Sequence, residues 1–246
     1  MRETDGKGGP FVAVRRVSQG PPRGSGCRSS PAEVVTGSTA WIGRGLSCVC
    51  AQRRDSNTRL LFDLTPSQEG LWALWYAAYP GVELYGIISD QWKEMGWQGK
   101  DPSTDFRGGG FISLENLLFF AKNYPKSFQD LLQKREGVRA MWEYPFAVAG
   151  VNITFMLIQM LDLQAAKPTS MIAAVFLKLL SENERAFDVL YCMSFKMMDQ
   201  QWLAMRASYM DFNLVMNSTR RQLEQELLLE DVQRIEDMPS YSLLKR

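Results

Sequence analysis

Arg107 lies between the acid–aromatic pair Asp105-Phe106 and the triplet Gly108-Gly109-Gly110. An arginine carries a fixed charge and five donors in a planar fork, which suits it to gripping a phosphate rather than shuttling a proton. Gly96, Gly99 and the three glycines after Arg107 allow the backbone to approach another molecule closely. Asp101, Pro102 and Thr104-Asp105 stiffen the middle of the segment as turn formers. Trp92, Trp97 and Phe106 are large enough to pin it to the elements around it. The glycines do not form a nucleotide cradle of the strand–Gly-x-x-x-x-Gly-Lys-Ser/Thr–helix kind, so the chain is expected to bind no nucleotide and no cofactor of its own. Spacing alone leaves a second reading open, in which Asp105 and Arg107 pair or cap neighbouring backbone and the aromatics are simply core.

Composition removes most other chemistries. The 246 residues include no histidine, which excludes Ser-His-Asp and Cys-His nucleophile systems and most zinc sites. Cys27, Cys48, Cys50 and Cys192 do not make a disulfide framework, which points to a reducing, cytoplasmic setting. Cys48-x-Cys50 has no second pair to complete a metal site, so no metal is expected. Residues 1–62 carry ten Lys/Arg against four Asp/Glu, and residues 63–246 carry eighteen against twenty-three. The second part therefore lacks the basic footprint of a nucleic-acid binder. The uncharged run Tyr144–Leu161 is broken by Pro145, Gly150, Asn152, Thr154 and Gln159, and reads as a buried core helix rather than a membrane span.

The elements that must position the arginine read as all-α: one compact helical domain over 63–240, after a disordered basic Gly/Pro/Ser-rich leader over 1–62 and before a tail at 241–246. Thr65-Pro66 announces a first helix running to about Tyr79. A second is expected from Val82 to Gly96, with Leu84, Ile87, Ile88, Trp92 and Met95 on one face. After the loop 96–110, Ser113 is expected to cap a helix to Asn123. Ser127 to Asp130 matches a capping box for a short helix ending at Gly137. Pro145–Leu163, apolar around most of its circumference, should be the central helix. Thr169 caps another, to about Leu180. From 183 to 238 there is no glycine or proline, which predicts either one long helix or a break near Met198–Gln201. Trp202, Met205, Tyr209, Phe212 and Met216 form a core stripe at helical spacing, and 220–236 reads as a solvated amphipathic helix.

The pattern Trp92-x3-Gly96-Trp97-Gln98-x3-Pro102-x-Thr104-Asp105-Phe106-Arg107-x2-Gly110 resembles the signature of the ELMO (engulfment and cell motility) domain, with Trp97 where phenylalanine is more usual. The similarity continues through Glu143–Thr154 and Asp199–Trp202 to near Pro239, and is strongest to short plant ELMO domain-containing proteins. The resemblance implies a GTPase-activating protein for small Arf or Arf-like GTPases in their GTP–Mg form. In it Arg107 would be the arginine finger, the catalytic residue supplied in trans. Trp92, Gly96, Trp97, Gln98, Pro102, Thr104, Asp105, Phe106 and Gly110 would position the loop or bind the partner. Membrane association would come only through the GTPase. The alternative is a non-enzymatic adaptor that recruits a Dock-type exchange factor for Rac-type signalling, through the 220–236 helix. Gly70-Leu71-Trp72 joins segments that a longer stretch separates in similar plant proteins. That shortening is expected to leave apolar surface exposed.

Overall fold

The computed structural model describes residues 68–107, 110–139, 141, 143–165 and 167–245, with Arg107 described by its backbone alone. The fold is all-α, with no strand among these residues. The α-helices are α1 (Gln68–Ala78), α2 (Ile112–Asn123), α3 (Pro125–Gln133), α4 (Phe146–Met160), α5 (Met171–Glu182), α6 (Ala186–Ala204) and α7 (Phe212–Leu227). Short 3-10 turns join them. The leader, Cys48-x-Cys50 and the Thr65-Pro66 start signal lie outside the described residues.

α4 is the central helix the composition predicts, shorter by a residue or more at each end. Nearly all of its residues are buried, because α2, α6 and α7 pack around it. Small residues permit the closest approaches. A Cβ at Gly150 would meet the Tyr191 hydroxyl at 2.7 Å and Leu117 Cδ2 at 2.9 Å. Gly150→Ala is therefore expected to destabilise the protein by about 1–3 kcal/mol through overpacking, measured by urea unfolding.

α1 packs chiefly on α2 and buries Leu71, Leu74, Trp75 and Ala78. The helix runs unbroken through the Gly70–Trp72 join. On its outer side Tyr76 is 47% exposed.

Several sequence expectations need correction. No α-helix starts at Val82; the chain is irregular from there to a 3-10 turn, Asp90–Met95. Two carbonyls that a helix would use internally accept indole protons instead, Val82 from Trp75 Nε1 (2.9 Å) and Ile87 from Trp92 Nε1 (2.8 Å). Leu84 is buried, but Ile88 is exposed. Ser113 does not cap α2: it lies inside the helix, and its buried hydroxyl has no hydrogen-bond partner among the described residues. Ser127 likewise sits inside α3, which starts with Pro125 at its first position and stops at Gln133, before Lys134 in the left-handed region. Ser170, not Thr169, caps α5 by accepting from Ala173 N at 3.1 Å, and the helix reaches Glu182.

The 183–238 stretch breaks at Met205–Ser208, later than expected, where Arg206 takes a positive φ of 49°. Ser208 and Asp211 form the capping box that restarts the chain, with Ser208 N donating to Asp211 Oδ2 at 2.9 Å. The stripe therefore spans two helices. Trp202, Phe212 and Met216 are buried, but Met205 and Tyr209 are exposed to about two-fifths. α7 ends at Leu227, and a 3-10 turn over Ile235–Asp237 replaces the rest of the expected amphipathic helix. Leu243 and Leu244, in the stretch assigned to a tail, are buried against the body in the final turn Pro239–Leu244.

One ionic cluster ties the two halves together. Arg139 donates bidentately to Asp199, Nη1 to Oδ1 and Nη2 to Oδ2, each at 2.9 Å. Its Nη1 also reaches Glu143 Oε2 at 3.3 Å, and Tyr144 Oη donates to Asp199 Oδ1 at 2.6 Å. Burial, and then the Asp199 charge, hold the Tyr144 hydroxyl protonated to well above its usual range. Tyr144 therefore remains a donor at all ordinary pH.

Candidate arginine loop

Residues 89–100 form a closed loop rather than an open one. At its neck Ser89 N donates to Lys100 O at 2.9 Å, and Lys100 Nζ lies 2.9 Å from Asp90 Oδ2. The Asp90–Met95 turn ends at Gly96, whose φ of 89° favours glycine. Gly96 also sits directly on the start of α4: a Cβ there would lie 2.6 Å from Phe146 N and 2.9 Å from Pro145 C. Gly96 O accepts from Val148 N at 3.4 Å. Gly96→Ala should therefore both strain the backbone and push the loop off α4. Together these should cost about 2–4 kcal/mol, which denaturant unfolding would read.

Beyond Gly96 the chain turns through Asp101, whose Oδ1 accepts from Ser103 N at 2.9 Å and whose carbonyl accepts from Thr104 Oγ1 at 2.8 Å. These bonds start a second 3-10 turn, Pro102–Arg107, where the sequence suggested only loop. Asp105 is buried, and its Oδ2 takes the backbone proton of Gln98 at 2.9 Å across the loop. This bond runs through the main chain of Gln98, while the Gln98 side chain is exposed.

An aromatic row fixes the loop from beneath. Trp75 meets Trp92 edge-on at 5.4 Å between ring centroids, Trp92 meets Trp97 at 6.5 Å, and Trp97 meets Phe106 at 5.1 Å. All four are buried, and Trp97 Nε1 has no hydrogen-bond partner among the described residues. Such pairs contribute beyond their area by about 0.5–1.5 kcal/mol each. Gly110 closes the turn, with φ 69° and its N–H on Phe106 O at 2.7 Å, and it leads into α2.

The structure therefore brings every sequence-selected residue into one loop and sorts them by access. Trp92, Trp97, Pro102, Asp105, Phe106 and Gly110 are buried and cannot touch a partner's nucleotide; Thr104 is half-buried and Gln98 open. The backbone of Arg107 follows two buried residues, Asp105 and Phe106, and ends the turn. Among the described residues no three carboxylate or thiol groups converge as metal ligands. Sequence reasoning missed the Gly96 contact with α4, because the touching residues are about fifty positions apart. It also missed Gln91, whose side-chain amide accepts from Tyr85 N and donates to Glu83 O, both at 2.9 Å, and so braces the segment before the loop.

The profile of the ELMO/CED-12 family matches residues 53–216, which contain this whole loop. The chain belongs to the ELMO/CED-12 family. ELMO domain-containing protein A of Dictyostelium discoideum is 34% identical to it over 168 residues, 61% of this chain and 17% of that protein. Human ELMO domain-containing protein 2 is 38% identical over 100 residues, 41% of this chain and 33% of that protein. Human Engulfment and cell motility protein 3 is 26% identical over 146 residues, 58% of this chain and 20% of that protein. This ELMO chain thus spans a third or less of the length of these relatives. None of its described helices is long and apolar enough to cross a membrane.

Proposed function

We propose that this ELMO domain, over residues 63–240, accelerates GTP hydrolysis by a small GTPase of the Arf or Arf-like group, with Arg107 entering the partner's nucleotide site. Family membership supports a regulator of small-GTPase signalling. The observation that carries the finer reading is the bracing of the arginine turn: Asp105 and Phe106, the two residues before Arg107, are buried and fixed by Gln98 N and Trp97. A preset turn lowers the entropy lost when a long cation is brought to a phosphate.

Hydrolysis develops charge on the phosphoryl oxygens, and a guanidinium supplied in trans neutralises it. The GTP and magnesium belong to the partner; this chain supplies only charge and position. Asp105, Phe106, Trp97 and Gly96 act as positioning residues, and Gln98, exposed beside them, is placed to touch the partner. Recruitment to a membrane would follow the GTPase. The test is single-turnover hydrolysis by a set of purified Arf-type GTPases with and without the protein. Stimulation of at least one is expected, and no stimulation of any would overturn the reading.

The adaptor alternative, docking a Dock-type protein through 220–236, has less surface to work with. Leu223 and Leu227 face the core, and α7 stops there. Leu228 and Leu229 remain, each about half exposed.

A further inference from the structure

The segment leading into the arginine loop turns two large apolar side chains outward: Tyr85 is 84% and Ile88 70% exposed, while Leu84 between its neighbours is buried. The segment is irregular, yet its backbone is held at four points. Val82 O accepts from Trp75 Nε1, Glu83 O from Gln91 Nε2 and Ile87 O from Trp92 Nε1, and Tyr85 N donates to Gln91 Oε1. Trp92 ties this segment to the site. Its indole N–H holds Ile87, and its ring meets Trp97, which in turn meets Phe106, the residue before Arg107. One aromatic row thus presets both the apolar pair and the arginine turn.

We propose that Tyr85 and Ile88 seat against the small GTPase that Arg107 enters, on apolar side chains bordering its nucleotide, and set how tightly it is held; the proposal rests on the reading above. Distance permits one footprint. Ile88 adjoins Ser89, whose N–H bonds Lys100 O at the loop's neck. From Lys100 to Arg107 the chain runs two extended steps and then the 3-10 turn Pro102–Arg107, at most about 17 Å. A standard interface takes about 800 Å² from each partner, a patch roughly 30 Å across, and so covers both. The composition fits a protein partner, since tyrosine and arginine are enriched where proteins meet and carry much of the binding energy there. A bilayer is the weaker fit. Residues 82–100 hold Glu83, Asp90 and Glu94 against Lys93 and Lys100, without the basic excess that draws a protein to anionic lipid. A preset segment also loses little entropy when a partner covers it.

Single-turnover hydrolysis by a responsive Arf-type GTPase, titrated with the full chain, tests this. Tyr85→Ser combined with Ile88→Ser is expected to raise the concentration for half-maximal stimulation by about ten-fold or more and to leave the plateau rate unchanged. Urea unfolding should match wild type, because both side chains are exposed. Arg107→Ala, by contrast, removes the plateau itself. Met210→Ser, which removes an equally exposed apolar side chain from the turn before α7, should change neither quantity. A double variant that titrates like wild type would overturn this inference and leave the arginine reading standing, whereas no stimulation by wild type would overturn both. A lowered plateau would overturn it too, because the pair would then act through the loop and not on the partner. So would a wild-type dimer on size exclusion, or binding to phosphatidylcholine–phosphatidylserine vesicles, that the double variant abolishes, since a second copy or a lipid surface would then cover the pair.

Discussion

Arg107→Ala is expected to abolish stimulation of GTP hydrolysis, a loss of ~10³–10⁵ in the stimulated rate, with the domain still folded. The effect should be this large because no other group of the chain is proposed to touch the phosphoryl oxygens. Arg107→Lys should rescue little of it. Lysine keeps the charge but is a compact point donor, and it loses the planar fork that can span two oxygens. Single-turnover hydrolysis with each variant at saturating concentration checks the point, with circular dichroism as the folding control. An Arg107→Ala protein as active as wild type would remove the arginine from the mechanism.

The second large effect concerns stability. Removing the Asp199 carboxylate by Asp199→Ala leaves the Arg139 guanidinium, a tenth exposed, without its bidentate partner, and deprives Tyr144 of its acceptor. Breaking a buried pair from one side costs about 3–5 kcal/mol. That is a large part of the total stability of about 5–15 kcal/mol expected of a domain. Asp199→Asn keeps an acceptor and should cost less. Asp90→Ala, by contrast, breaks only exposed contacts to Lys93 and Lys100, which solvent and salt screen, and should cost far less. Urea unfolding of these variants gives the order directly. A loss under 1 kcal/mol in Asp199→Ala would show that the cluster is solvated rather than stabilising. The cluster also bears on the site: it anchors the strand of chain from Arg139 to Tyr144 that leads into Pro145 and Phe146, the residues Gly96 rests on.

The sequence showed most clearly what depends on local composition. α4 was visible because its residues are apolar on all sides, and the loop because glycine, proline and aromatic residues alternate there in an unusual density. The segment after Val82 was misread because its apolar spacing suits a helix; distant indole N–H groups from Trp75 and Trp92 captured its carbonyls instead. The break at Arg206 was placed too early, although Ser208 and Asp211 carried a capping-box signal three residues apart. Contacts between remote positions left no local trace. Arg139 and Asp199 are sixty residues apart, and the need for glycine at 96 becomes visible only when the start of α4 lies against it.

The central claim is that the guanidinium of Arg107 reaches the transferring phosphoryl group, and a transition-state mimic tests it most directly. A responsive GTPase loaded with GDP should form a stable complex with the wild-type protein when aluminium fluoride is added, and neither Arg107→Ala nor Arg107→Lys should do so. Equal complex formation by wild type and Arg107→Ala would contradict the account.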